Sequence, residues 1–181
     1  MENKTLSDNI ELQNSIDFSI ENNILKVKGP KGEIKKKISS SRIKIKKENS
    51  KIILTVEGRS RKSKDILNSC ISNLKNMLEG VNKSYIYKLK ICSGHFPMNV
   101  VLEKDKVIIK NFLGEKLPRV AKILEDVNVK INDDTITVES IDKDKAGQVS
   151  ANIEMATRIV YKDRRVFQDG IFLIEKAGDK K

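Results

Sequence analysis

The chain is predicted to be an α+β protein built from two tandem duplicated domains, each an antiparallel sheet with one packed helix. Three observations predict this. The segment VKGPKGE at 27–33 lines up with IKNFLGE at 109–115, and Thr55, Val56 and Glu57 line up with Thr137, Val138 and Glu139, both at an offset of 82 residues. Before each helical segment, apolar residues alternate with polar ones at the period of half-buried strands. One segment of helical periodicity then closes each copy. The expected layout is an N-terminal arm at 1–11, a first repeat at 12–82, a connecting strand or linker at 83–95, a second repeat at 96–176 and a tail at 177–181.

Each element has its own justification. Residues 1–11 are polar and read as an arm. Ile16, Phe18 and Ile20 alternate with Asp and Ser and begin the first sheet; Leu25 and Val27 form the next strand. Gly29, Pro30, Lys31 and Gly32 are a turn signal, since glycine tolerates positive φ and proline fixes one φ. Ile34, Lys36 and Ile38, then Ile43 and Ile45 among Arg42, Lys44 and Lys46, give strands with one apolar and one basic side. Ile52, Leu54 and Val56 close the sheet.

The first helix is predicted from about Lys62 to Glu79. Ile66, Leu67, Cys70, Ile71, Leu74, Met77, Leu78 and Val81 form one face, and Gly80 serves as the stop. Tyr85, Tyr87, Leu89 and Ile91 alternate in the connecting strand. In the second repeat Met98, Val100 and Leu102, then Val107 and Ile109, form a hairpin, and Val127, Val129 and Ile131 pair with Ile136 and Val138 across Asn132, Asp133 and Asp134. The second helix is predicted from about Asp144 to Tyr161, with Val149, Ile153, Ala156 and Val160 on one face. The strand at 171–174 follows it.

Charge sets the class of partner. Charged residues make up 34% of the 181, with 36 Lys and Arg against 25 Asp and Glu, a net charge of +11. The isoelectric point is about 9.6. Such a surplus favours a polyanion. No run approaches the roughly 20 apolar residues of a membrane span, and the N-terminus lacks the apolar run of a signal peptide, so a soluble intracellular protein is expected. Two distant cysteines, Cys70 and Cys92, and a single histidine, His95, cannot assemble the usual zinc sites or support a triad. Cys70, on the apolar helix face, is expected in the core. No cofactor or metal is expected.

Four separated stretches then become specific together: KVKGPKGE at 26–33, GHFPMNVV at 94–101, IKNFLGEK at 109–116 and RRVFQDGIFLIEK at 164–176. They resemble the universal large-subunit ribosomal protein six family in its archaeal and eukaryotic branch, where the eukaryotic member is also called protein nine. The likeness runs from about residue 16 to 176, and the bacterial branch's C-terminal motif rich in Gly, Pro and Lys is absent. The resemblance implies duplicated α+β domains and a cytoplasmic, ribosome-bound protein without catalytic activity. It also implies binding to large-subunit rRNA near the sarcin–ricin loop, with neighbouring ribosomal proteins and translational GTPases close by, and principal rRNA contacts in the C-terminal domain.

The residues themselves offer candidate RNA contacts. Around the turn at 111–114, Lys110, Asn111, Phe112, Gly114, Lys116 and Arg119 combine cations with an aromatic at the tip. The Phe112 ring either stacks on an unpaired base or folds back onto the sheet. Gly114 admits a close phosphate or only satisfies the turn. Lys162, Arg164 and Arg165, placed at the end of the second helix, suit its C-terminal dipole and also suit phosphates. His95 either donates to a phosphate or 2′-OH or satisfies a backbone carbonyl. Arg59, Arg61 and Lys62 at the start of the first helix oppose its dipole and form, with free N–H groups, either an anion site or a solvated loop. Lys35, Lys36 and Lys37 and the basic residues up to Lys47 are either a solvated face or a phosphate surface. Only 4% of residues are aromatic and Trp is absent, so phosphate, 2′-OH and shape recognition is expected over base stacking. The alternatives are a free-standing RNA-binding or RNA-chaperone protein and, disfavoured by the lone His and the lack of a phosphate-binding GxxxxGK[ST] loop, a nucleic-acid enzyme.

Overall fold

In the computed structural model, which describes residues 5–11, 16–21, 23–38, 42–48, 51–58 and 60–178, the alternating segments pair as antiparallel strands within two units, Met1–Lys83 and Ser84–Lys181. The first unit contains β1 (Thr5–Glu11), β2 (Asp17–Glu21), β3 (Ile24–Gly29), β4 (Gly32–Lys37), β5 (Ile43–Glu48), β6 (Lys51–Glu57) and α1 (Arg61–Asn82). These strands form two sheets rather than one, in the orders β1-β6-β5 and β2-β3-β4. Helix α1 packs on strands of both. Its buried stripe of Leu67, Cys70, Ile71, Leu74, Met77 and Val81 meets Ile52, Leu54 and Val56 of β6 and Leu25 and Val27 of β3, all buried. Burial pushes the Cys70 thiol pKa up, as for a core thiol.

Two first-unit expectations are corrected. The N-terminal arm contains a strand: β1 pairs with β6 from Thr5↔Glu57 to Glu11↔Lys51, with Ile10 buried beneath it. Its polar sequence hid it, because most of its side chains face solvent. The helix also runs through Gly80 to Asn82. Gly80 lies within the buried stripe, and the Lys83 amide closes the last turn on the Glu79 carbonyl at 2.7 Å. Val81 beyond it covers Gly29, and the Lys31 amide donates to the Val81 carbonyl at 3.0 Å.

The second unit repeats the plan with β7 (Tyr85–Cys92), β8 (Asn99–Glu103), β9 (Lys106–Lys110), β10 (Arg119–Lys122), β11 (Val127–Asn132), β12 (Thr135–Ser140), α2 (Lys143–Ala156) and β13 (Gly170–Glu175). Its sheets run β10-β9-β8 and β11-β12-β7-β13. The order β11-β12-β7 answers to β5-β6-β1, so the segment expected as a connection is the first strand of the second unit. It lies inside its sheet, flanked by β12 and β13. Among the described residues the fold is therefore a duplicated α+β architecture with one added strand in the second unit. Val107 and Ile109 of β9, Ile136 and Val138 of β12, and Val149 and Ile153 of α2 are fully buried in one core.

Helix α2 stops at Ala156, five residues short of expectation. The Thr157 hydroxyl donates to the Glu154 carbonyl at 3.1 Å and accepts the Ile171 amide at 2.9 Å, which ties the helix end to β13. The chain beyond leaves as a loop, and Val160 is exposed instead of lying on the apolar face.

Candidate nucleic-acid interface

Three stretches read separately in the sequence meet in the second unit. The loop after β7 contributes Gly94, His95, Phe96 and Pro97. The turn after β9 contributes the 3₁₀ segment Phe112–Gly114. The loop between α2 and β13 contributes residues 158–169. The Asn111 side chain donates to the Pro97 carbonyl at 3.0 Å. Gly114, at φ +77°, lies against the Phe96 ring, and a Cβ there would be 3.5 Å from it. On the other side the His95 ring lies against Phe167, tilted by 31° with centroids 4.8 Å apart, and the Lys162 ammonium sits over Phe167 at 4.7 Å.

Between the end of β7, the end of α2 and the 158–169 loop lies a cleft of about 950 Å³. Its rim carries Lys90, Arg158 and Arg164, opposed by Glu154. Its anchor is Asp169, 1% exposed, which accepts the Gly94 amide at 2.6 Å and the His95 amide at 2.9 Å on one oxygen. Its other oxygen meets His95 Nδ1 at 2.6 Å. Desolvation raises the Asp169 pKa, but the His95 amide, the His95 ring and the Gly94 amide outweigh it and hold it at about 2. His95 is thus not the carbonyl-capping linker residue of the structural reading; it is fixed by a buried carboxylate.

Several candidates take other roles. Phe112 is 1% exposed, so it is a core residue and not a base-stacking tip. Asn111 and Leu113 both take left-handed backbone, at φ 59° and 50°, and the turn carries the ring inward. Arg119 packs its guanidinium 4.3 Å above the Phe112 ring. Its Nε and Nη2 donate to Glu115 at 2.8 and 2.6 Å, and Nη1 donates to the Ala156 and Arg158 carbonyls at 3.0 Å each. That guanidinium is a clamp on the end of α2, with all three nitrogens engaged inside the protein. The same bonds hold the Glu115 carboxyl below its ordinary pKa.

Lys162, Arg164 and Arg165 stand on the loop and not at the helix end, because α2 stops earlier. Arg165 pairs with Asp163 at 2.9 Å while staying 91% exposed, and the bond lowers the Asp163 pKa and raises that of Arg165. Lys110, Lys116, Arg158 and Arg164 are exposed and have no carboxylate partner among the described residues. The sequence reading missed Arg158, Phe167 and Asp169. Asp169 sits within a motif already singled out, yet nothing local marks it as buried.

In the first unit Arg61 and Lys62 lie exposed in the first turn of α1, and Arg59 lies outside the described residues. The N-terminus there is capped from within: the Ser60 hydroxyl accepts the Ser63 amide at 3.1 Å, and the buried Ser63 hydroxyl donates to the Glu57 carbonyl at 3.3 Å. The lysine-rich stretch is divided between two sheets, β4 in one and β5 in the other. Some of its cations are paired, Lys35 with Glu33 at 3.3 Å and Lys44 with Glu57 at 2.8 Å.

Comparison with known proteins agrees with this duplicated plan. The family model for Ribosomal protein L6 matches residues 14–84 and again 96–170. The large ribosomal subunit protein uL6 of Nanoarchaeum equitans is 48% identical over 177 residues, covering 93% of this chain and 92% of that protein. The uL6 protein of Staphylothermus marinus is 45% identical over 170 residues, covering 92% of each. That of Methanothrix thermoacetophila is 40% identical over 167 residues, covering 92% of this chain and 95% of its own length. With both repeats matched in order and archaeal relatives alike along nearly their whole length, the chain belongs to the ribosomal protein L6 family, whose members are structural and not enzymatic.

Proposed function

We propose that this chain is a structural constituent of the large ribosomal subunit that binds large-subunit rRNA mainly through its second unit. Within the RNA, the region near the sarcin–ricin loop is the target, where translational GTPases dock and neighbouring large-subunit proteins adjoin. One observation carries the reading: Arg158 and Arg164 line the His95–Asp169 cleft, Lys110 and Lys116 stand exposed on either side of the Phe112–Gly114 turn, and none of the four has a carboxylate partner among the described residues. Surface cations left unpaired on one side of a unit are the footprint of phosphate contact. The exposed turn of Arg61 and Lys62 is a secondary contact in the first unit.

Sucrose-gradient sedimentation of a lysate at moderate and high salt, followed by crosslinking to rRNA, tests the reading. Cofractionation with the large subunit, and crosslinks from the second unit to the sarcin–ricin region, are the expected result. A chain that stays at the top of both gradients and binds unrelated RNAs equally well would instead be a free-standing RNA-binding protein.

A further inference from the structure

Asp169 is the one buried charged side chain among the described residues, and phosphate binding alone gives it no purpose. Its geometry nevertheless dictates the chemistry of His95. An ionised carboxylate only accepts hydrogen bonds, and this one is already engaged by two backbone amides. Nδ1 of His95, 2.6 Å from the second oxygen, must therefore carry the proton. In the neutral ring Nε2 is then left with a lone pair. That nitrogen has no protein partner among the described residues, and the side chain is 39% exposed. The tilted contact with Phe167 supports the ring from one side.

The result, with the ring neutral, is a fixed acceptor on a rim where three cations outnumber the one carboxylate, Glu154. Lys90, Arg158 and Arg164 offer only N–H groups, suited to phosphate oxygens. Phosphate has nothing to donate to Nε2. RNA carries two kinds of outward donor that do match it, the ribose 2′-OH and the base amino groups. A volume of about 950 Å³ is in the range of small-molecule sites and leaves room for a nucleotide.

Resting on the rRNA-binding reading above, we infer that the cleft receives one unpaired nucleotide of RNA. His95, positioned by Asp169, accepts at Nε2 a hydrogen bond from a donor on that nucleotide, while Arg158 and Arg164 take the flanking phosphates. Asp169 is the positioning residue and His95 the residue that reads the RNA.

The test uses the full chain and the fragment of large-subunit rRNA that it protects, synthesised with a single 2′-deoxy replacement or a single base lacking its amino group at each crosslinked position. The wild-type protein is expected to lose about tenfold in affinity when the right donor is removed. A loss on 2′-deoxy replacement identifies the ribose, and a loss on amino removal identifies the base. Asp169→Asn can still accept the two amides through its oxygen but presents NH₂ to Nδ1, which moves the ring proton to Nε2. It should bind the natural fragment about tenfold more weakly and no longer sense the missing donor. His95→Phe, which keeps a ring against Phe167, should behave the same way, whereas His95→Gln, which keeps an acceptor, should recover part of the discrimination. If the wild type binds the fragment but is indifferent to every replacement, or if Asp169→Asn discriminates as the wild type does, the inference is overturned and rRNA binding stands. Absence of any preferred large-subunit fragment would overturn both.

Discussion

Asp169 holds His95 twice, through the backbone amide at 2.9 Å and through the ring Nδ1 at 2.6 Å. The two residues are 74 positions apart in the chain, and the contact ties the start of β13 to the loop leaving β7. Among the described residues, β13 is the one strand of the second unit without a counterpart in the first. Its attachment to β7 brings the 158–169 loop against the residues that follow β7, so the added strand and the candidate site arise together.

Acid should weaken this tie. The folded-state pKa of Asp169, about 2, lies below the ordinary 3.8, so the carboxylate's contribution to stability is full above about pH 4 and is lost as pH falls toward about 2. Urea unfolding across that range should show the wild type losing more stability than Asp169→Ala. At neutral pH Asp169→Ala should cost about 3 kcal/mol, since it removes three part-buried hydrogen bonds to a charged acceptor, from two amides and the ring N–H. Parallel pH curves for the two proteins would mean that the fold does not hold the carboxylate ionised.

Arg119 should prove structural. Arg119→Lys should lose about 2 kcal/mol, because an ammonium cannot reach two carbonyls, a bidentate carboxylate and the Phe112 face at once. RNA affinity per folded molecule should change little. Thermal unfolding and fragment binding measured on the same preparation separate the two effects, and a selective loss of binding would return Arg119 to the interface.

Phe112→Ala should cost about 3–5 kcal/mol, as for a large buried aromatic. Calorimetry reads this directly. A variant with wild-type stability and weak RNA binding would restore the stacking role.

Much of this was legible locally. The stripe of α1 and the alternation of Val107 and Ile109 are periodic signals, and each reports burial without knowledge of the partner. The candidate site was legible as charges but not as an arrangement. The inward turn of Phe112 depends on left-handed backbone at Asn111 and Leu113, which a turn-rich sequence permits without specifying. The Arg119 clamp depends on where α2 ends, and that end is set by a Thr157 bond to β13. Strand β1 reveals itself only when β6 lies beside it. Asp169 reads as a polar residue before a glycine until the His95 loop closes over it.

Arg164→Ala combined with Arg165→Ala should leave the melting temperature within about 2 °C, since Arg164 has no partner among the described residues and the Arg165 pair with Asp163 is exposed. Incorporation into large subunits should fall, and the salt dependence of fragment binding should flatten by about one unit of slope for each phosphate contact removed. Adding Arg158→Ala should deepen the effect more than Arg165→Ala does, because Arg158 lines the cleft and Arg165 does not. Unfolding of the double variant would make these residues structural.

Gly29→Ala should destabilise the first unit for want of space. A Cβ at Gly29 would lie 2.8 Å from Val81 Cγ2, 2.9 Å from its Cβ and 3.0 Å from its carbonyl oxygen. The Val81 carbonyl is already held by the Lys31 amide at 3.0 Å, so neither the turn nor the helix end gives way freely. Overpacking of this kind costs about 1–3 kcal/mol. Val81→Ala in the same chain removes the Cγ2 clash but keeps the other two, so the double variant should recover only part of the loss beyond the cost of Val81→Ala itself. A double-mutant cycle by chemical denaturation measures that coupling. Strict additivity would show that Gly29 and Val81 do not touch and that the end of α1 lies elsewhere.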